Sequence, residues 1–354
     1  MPYANYPPPA QNPGESTSGV RHLEVSEEEA GQRLDNYLQR HLAGVPRSRL
    51  YRVIRKGEVR VNGHRTGPER RLQPHDRVRI PPMRLAPPPE PGHPSAELIA
   101  RIERAIVRVD ENLIVLDKPT GIAVHGGSGV SFGVIEALRA ARPAESLELV
   151  HRLDRDTSGC LLIARRRAAL RELHALMRAN GVEKRYLVLL KGKWELGAKR
   201  IDVPLHTDTR VGGERTVRAG SSGKASVSDF RPVQFFGKTA TLMEVTLHTG
   251  RTHQIRVHAA YAGHPVAGDE KYGDAAFNES LRDLGLKRMF LHAHSLSFSW
   301  PRGAELSINT PLPEELSTLI DALTARSRAR PRSLREAGSP PRAARKRARS
   351  TAGR

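Results

Sequence analysis

Cysteine is almost missing from this chain: Cys160 is the only one among 354 residues. An internal disulfide and a thiolate zinc site are thereby excluded, and a reducing compartment, the cytoplasm, is the expected location. Long apolar runs are missing as well. No stretch approaches 18 residues, no signal peptide is evident, and no basic amphipathic helix carries an aromatic face, so no membrane partner is expected. Neither His-Glu-x-x-His nor Cys-x-x-Cys occurs, and the glycines at 126, 127 and 129 lack the Gly-x-Gly-x-x-Gly order. No metal and no dinucleotide cofactor is expected.

Acidic residues are also in short supply, 38 against 58 basic ones, for a net charge of +20. The excess is concentrated: residues 31–82 hold 13 basic and 4 acidic side chains, residues 326–354 hold 11 and 1, and the long middle is nearly balanced. A balanced body with basic appendages suits a polyanionic partner, of which nucleic acid is the first choice.

Residues 1–20 are rich in Pro, Gly, Ser, Asn and Gln with few core-forming side chains, which predicts a disordered tail. From residue 21 to 82 the pattern is that of a small module. Leu34, Tyr37, Leu38 and Leu42 follow helical spacing; a second helix, with Ser48 as its expected cap, buries Leu50, Val53 and Ile54 and turns Arg47, Arg49, Arg52, Arg55 and Lys56 elsewhere. Val59 and Val61 then alternate with Glu58 and Arg60 up to Asn62-Gly63, a hairpin signal. With Arg33-Leu34-Asp35, Ser48-Arg49 and Gly57-Glu58-Val59-Arg60-Val61-Asn62-Gly63, this order resembles the S4 RNA-binding domain. The resemblance implies that the basic helix and Arg60 lie against structured RNA.

Seven prolines between residues 81 and 94 predict a semi-rigid linker over 83–96, able to span roughly 40 Å when extended. A larger domain is expected over 97–325. Its strand candidates are 106–109, 113–116, 147–153, 160–164, 186–190, 242–247 and 291–300, and its helix candidates are 134–141, 168–179 and 252–262. Many half-buried strands with scattered helices predict an α+β fold on a mostly antiparallel central sheet. The remainder, 326–354, alternates Arg with Ala, Ser and Pro and reads as a disordered basic tail.

The stretch His151-Arg152-Leu153-Asp154-Arg155-Asp156-Thr157-Ser158-Gly159 sits between two apolar runs. Cations beside Asp154 and Asp156 keep a carboxylate ionised, as nucleophilic chemistry requires. The same residues would also build an ordinary turn, with Thr157 and Ser158 bonding local backbone and Gly159 supplying a positive φ. A second polar stretch holds His253 and His258. Five residues apart on a helix, they stand about 140° apart and do not chelate one ion.

Taken together, His151–Gly159, Lys184-x-Tyr186, Gly250-Arg251-Thr252-His253-Gln254-Ile255-Arg256-Val257-His258 and Gly268-Asp269-x-x-Tyr272-Gly273 resemble the RluA-type pseudouridine synthases, over nearly all of residues 100–300. The stretches Val124–Gly129 and Ser131–Glu136, with the S4-like module upstream, look closest to the branch acting on large-subunit (23S) ribosomal RNA or its precursors. The resemblance implies cofactor-free isomerisation of uridine to pseudouridine by a chain expected to act as a monomer. It implies Asp154 as the catalytic carboxylate, Arg256 as its salt-bridge partner, Tyr186 packed on the flipped uracil and able to assist proton removal at C5, and Leu291 on the pocket wall, although Leu291 reads equally well as sheet core. Arg152 would fill the gap left by the base, and Arg155 would lie on the RNA. Two alternatives stay open: a non-catalytic S4-type ribosome-assembly factor, and the same chemistry on transfer RNA.

Overall fold

The computed structural model describes residues 19–42, 45, 47–83, 92–127, 130–209, 215–300 and 303–329. Residues 1–18 of the expected N-terminal tail, 84–91 of the linker, 128 and 129 of the Gly-rich loop, and the basic tail from 330 onward lie outside the described residues. The described residues form two compact units. One draws on Met1–Leu116, Ala123–Arg152 and Leu161–Ala179, the other on Asp117–Ile122, Leu153–Cys160 and Asn180–Arg354.

The first unit opens with β1 (Arg21–Glu24), α1 (Leu34–His41), α2 (Arg47–Arg55), β2 (Arg60–Val61) and β3 (Arg77–Ile80). The strands form an antiparallel sheet in the order β1-β3-β2. Leu34, Tyr37 and Leu38 from α1 share one core with Leu50, Val53 and Ile54 from α2, as their helical spacing requires. Asn62 and Gly63 take φ of 51° and 79°, the conformation of a two-residue hairpin turn. Across it Val61 and His64 exchange both backbone hydrogen bonds at 3.0 Å. Ser48 is not the cap of α2. The helix already begins at Arg47, and Pro46 ahead of it is a residue that suits a helix start because it has no amide to leave unpaired.

Next in the chain come α3 (Ala96–Arg104), β4 (Ile106–Val109), β5 (Leu113–Lys118), α4 (Val134–Ala141), β6 (Glu148–Leu149), β7 (Ser158–Ala164) and α5 (Arg167–Arg178); of these, Asp117 and Lys118 at the end of β5 and Ser158–Cys160 at the start of β7 belong to the second unit. The strand order is β4-β5-β7, with β6 antiparallel on β7. The strand expected over 147–153 shrinks to Glu148–Leu149. One further bond, Val150 N to Leu162 O at 3.1 Å, follows, and the polar residues from His151 onward then leave the ladder. β7 in turn starts two residues earlier than expected and is buried along its whole length.

The second unit holds β8 (Glu183–Lys191), β9 (Lys199–Asp202), β10 (Leu205–Thr209), β11 (Arg215–Ala219), β12 (Val227–Phe236), β13 (Ala240–Leu247), α6 (Gln254–Tyr261), α7 (Ala275–Arg282), β14 (Leu291–Ser299), β15 (Glu305–Asn309) and α8 (Glu314–Ala329). Its sheet runs β14-β8-β13-β12-β9 in antiparallel pairs with β15 on β14, while β10 and β11 form a hairpin of their own. The architecture is the expected α+β one on a mostly antiparallel sheet. Met243, Val245 and Leu247 are buried against half-buried Glu244 and Thr246, as their alternation predicts. α8 lays Leu316, Leu319 and Leu323 on the core. It runs four residues into the stretch read as a disordered tail, because no Gly or Pro interrupts it before Pro331.

One parallel pairing fixes the end of the charged loop: His292 and Ala293 of β14 lie opposite Ser158 and Gly159. Gly159 has φ +111°, and a Cβ there would stand 2.2 Å from the Ala293 carbonyl oxygen. Only glycine lets the two backbones approach this closely.

Candidate active site

The loop carrying Asp154 is held from outside itself. Lys118, fully buried at the end of β5, donates through Nζ to the carbonyls of Pro119 (2.8 Å), Ile122 (2.8 Å) and Arg155 (3.1 Å). Gly121 N bonds the same Arg155 carbonyl at 2.9 Å, and Thr120 Oγ1 bonds the Asp156 carbonyl at 2.9 Å. Thr157 N closes the turn onto the Asp154 carbonyl at 3.2 Å. Ser158 does not bond local backbone as its turn reading supposes. Its hydroxyl accepts from Arg288 Nη2 at 3.0 Å and meets His292 Nδ1 at 2.9 Å.

This clamp fixes the backbone and leaves the Asp154 side chain uncommitted. The carboxylate is 20% exposed, and no donor among the described residues reaches it within hydrogen-bond distance; the nearest cation-forming group is His253 Nε2 at 3.9 Å. Arg256 is not its direct partner. Nε and Nη2 of Arg256 grip the two oxygens of Asp269 at 2.7 Å each, and the guanidinium lies 5.0 Å over the Tyr272 ring. Asp269 is completely buried and would be neutralised without a cation, which explains why it takes this arginine. Burial pulls the Arg256 pKa down, but the Asp269 pair, with Asp154 at longer range, holds it above the ordinary arginine value. Burial likewise pushes Asp269 up, and the Arg256 hydrogen bonds together with the amides of Lys271 and Tyr272 outweigh it and hold the carboxyl below its usual range.

Tyr186 stands on β8, opposite Val245 of β13 and Ala293 of β14. Burial above all, then the negative charge of Asp154, drives its phenol well above the ordinary tyrosine value. The ring is a neutral phenol at physiological pH. Leu291 is buried on β14 opposite Val188, two residues from the position that faces Tyr186.

Arg152 is exposed and makes no ion pair among the described residues, and Arg155 is exposed beside Asp156 at 3.2 Å. In the N-terminal module Arg49, Arg52, Arg55, Lys56 and Arg60 are all exposed; Arg55 bonds the Tyr51 carbonyl, Lys56 faces Glu58 at 3.8 Å, and Arg60 reaches the Gly57 carbonyl at 3.4 Å. Arg47 opens α2, and its side chain lies outside the described residues. The amides of Gly126 and Gly133 are not open to a phosphate, since both donate to Glu136 Oε2, at 3.0 and 2.8 Å.

A family model described as RNA pseudouridylate synthase matches residues 112–261, and one for the S4 domain matches residues 32–78. Ribosomal large subunit pseudouridine synthase C of Pasteurella multocida (strain Pm70) is 52% identical over 310 residues, which is 86% of this chain and 94% of that protein. This chain belongs to the RNA pseudouridylate synthase family. The protein of the same name from Escherichia coli (strain K12) is 48% identical over 312 residues, 87% of this chain and 98% of that one. The solved structure of human RNA pseudouridylate synthase domain containing 4 aligns with a TM-score of 0.53 at 25% identity, covering 64% of this chain and 96% of that chain.

Within this pseudouridylate synthase, sequence reasoning named Asp154, Tyr186 and Arg256 but gave no role to Lys118, His253, Asp269, Tyr272 or Arg288. His253, Asp269 and Tyr272 lie within the motifs that carry the family resemblance. Lys118 left a fainter signal, a lysine that follows four apolar residues and Asp117 and precedes a proline. Nothing in the sequence pairs Arg288 with Ser158, 130 residues away.

Proposed function

We propose that this chain isomerises uridines of large-subunit ribosomal RNA to pseudouridine, with Asp154 as the catalytic carboxylate. The N1–C1′ bond breaks, the uracil turns, C5 bonds to C1′, and the proton leaving C5 is balanced by one gained at N1. The observation that carries the reading is a carboxylate whose loop is clamped while its oxygens have no hydrogen-bond donor among the described residues. A substrate finds such a group preorganised and available. That role holds whether Asp154 attacks C6 of the base or C1′ of the sugar, or assists elimination.

Tyr186 packs on the uracil, with Leu291 beside it on the pocket wall. Arg256 supplies positive potential while remaining tied to Asp269. Arg152, exposed on the loop, fills the place of the flipped base. The S4 module over 21–82 grips RNA through Arg49, Arg52, Arg55, Lys56 and Arg60, with Arg155 and the basic tail adding salt-sensitive affinity. The relatives that carry the name ribosomal large subunit pseudouridine synthase C favour ribosomal over transfer RNA as the substrate, and action on ribosomal RNA accords with a cytoplasmic location.

The test is incubation of the chain with large-subunit ribosomal RNA and, separately, with transfer RNA, followed by chemical mapping of pseudouridine. New pseudouridine in the ribosomal RNA alone is expected. Modification of transfer RNA alone would overturn the substrate, and none in either would overturn the activity.

A further inference from the structure

Beside Asp154 stands a histidine that the mechanism above leaves idle. His253 precedes α6 in the left-handed region, φ 54°, and this conformation carries its ring toward the Asp154 loop instead of along the helix. Its side chain is 16% exposed, with Nε2 3.9 Å from Asp154 Oδ2. On the other side, Nδ1 lies 2.9 Å from the Tyr272 hydroxyl. That hydroxyl accepts a hydrogen bond from Val217 N of β11 at 2.9 Å, and its own proton is left to donate to Nδ1.

Together with the carboxylate facing Nε2, this chain of bonds favours one tautomer. With Nδ1 accepting, the proton of the neutral ring sits on Nε2 and faces the carboxylate. The opposite tautomer would set a bare nitrogen lone pair against a carboxylate oxygen. Burial is the main force keeping the ring neutral; Arg256 and Lys271 add to it, while Asp154 and Asp269 oppose it. Tyr272 is itself fixed, since Arg256 covers its face and His253 meets it edge-on at 5.5 Å. The 3.9 Å gap exceeds a hydrogen bond by roughly 1 Å, a distance that closes when a substrate fills a site.

We propose that His253 is a positioning residue for the isomerisation: its Nε2–H orients the Asp154 carboxylate, and Tyr272, anchored on the Val217 amide, keeps the proton on that nitrogen. The proposal rests on the reading of Asp154 as the catalytic carboxylate. The test measures kcat and KM for pseudouridine formation in a large-subunit ribosomal RNA transcript, using the full chain and Asp154→Asn, His253→Ala, His253→Gln, His253→Asn and Tyr272→Phe.

His253→Ala is expected to lose about 10- to 100-fold in kcat with KM within about 2-fold of wild type. His253→Gln, whose amide N–H stands where Nε2–H was, regains most of that loss, whereas the shorter asparagine does not. Tyr272→Phe falls between, because its ring still supports Arg256. Wild-type kcat in His253→Ala beside an inactive Asp154→Asn overturns this proposal alone, while an active Asp154→Asn overturns the reading beneath it. If His253→Ala does not fold, the Gln and Asn variants decide: equal rates overturn the proposal.

Discussion

Asp154 and Asp269 stand on two loops of the same unit, and both influence Arg256, yet their surroundings are opposite. Asp269 is buried with every contact assigned: two guanidinium hydrogen bonds at 2.7 Å and two backbone amides at 2.9 and 3.0 Å. Asp154 is part-exposed and its side chain has no such bond among the described residues, although its own carbonyl and those of Arg155 and Asp156 are all bonded. A carboxylate whose lone pairs are all used is a structural element; one held in place by its backbone alone is kept for a partner that arrives later. The division also assigns Arg256. It is first the counter-ion of Asp269 and only through that fixed position a source of potential for Asp154.

The contrast is open to breakage at Asp269, where the largest stability effect is expected. Asp269→Ala leaves Arg256 buried without a counter-charge, and the loss should be about 3–5 kcal/mol in a denaturant titration. A loss below about 1 kcal/mol would put Asp269 among surface carboxylates and remove the comparison.

A smaller effect comes with pH, through the polar cluster behind the Asp154 loop. His292 is fully buried against Ser158 and Thr310, and burial lowers its pKa to about 4 from the ordinary 6.5. Between these values the unfolded chain binds a proton that the folded chain refuses, so stability is complete above about 6.5 and is lost as pH falls toward 4. One such group contributes about 3 kcal/mol. Melting His292→Gln across this range should give a shallower acid slope than wild type; parallel slopes would remove His292 from the account.

The smallest effect is expected at Arg200, which bonds Asp229 at 2.7 and 2.8 Å but is largely exposed. Arg200→Ala should cost less than about 1 kcal/mol despite geometry nearly equal to that of Arg256 and Asp269. A cost equal to that of Asp269→Ala would mean that burial is not what separates the two pairs.

The parts of this picture that were legible beforehand share a physical cause. Periodic apolar positions located α1, α2, α4, α5, β4, β13 and β14, and Asn62-Gly63 located a turn, because these patterns are local. β12 escaped notice since Pro232 interrupts it, and the structure absorbs that proline with a register shift between Pro232 and Gln234. α6 falls within the helix expected over 252–262, but its burial on all sides, with Gln254, Arg256 and His258 inside along with Ile255 and Val257, follows no polar and apolar alternation in the sequence. At the site, motif residues could be named but not paired. The sequence holds several aspartates that could take Arg256, and only the buried turn at Gly268-Asp269, whose glycine adopts φ +75° with the Arg288 carbonyl 2.4 Å from where a Cβ would sit, brings Asp269 onto it. Lys118 is similar: its partners are carbonyl oxygens, which every residue has and no sequence distinguishes.

The central claim, that Asp154 is the carboxylate reserved for chemistry, is tested most directly by Asp154→Asn in the full chain. Its melting temperature and its RNA affinity are measured alongside single-turnover pseudouridine formation. The account predicts an unchanged melting temperature, RNA binding near wild type and no detectable product. Product formed at a rate near wild type would contradict it.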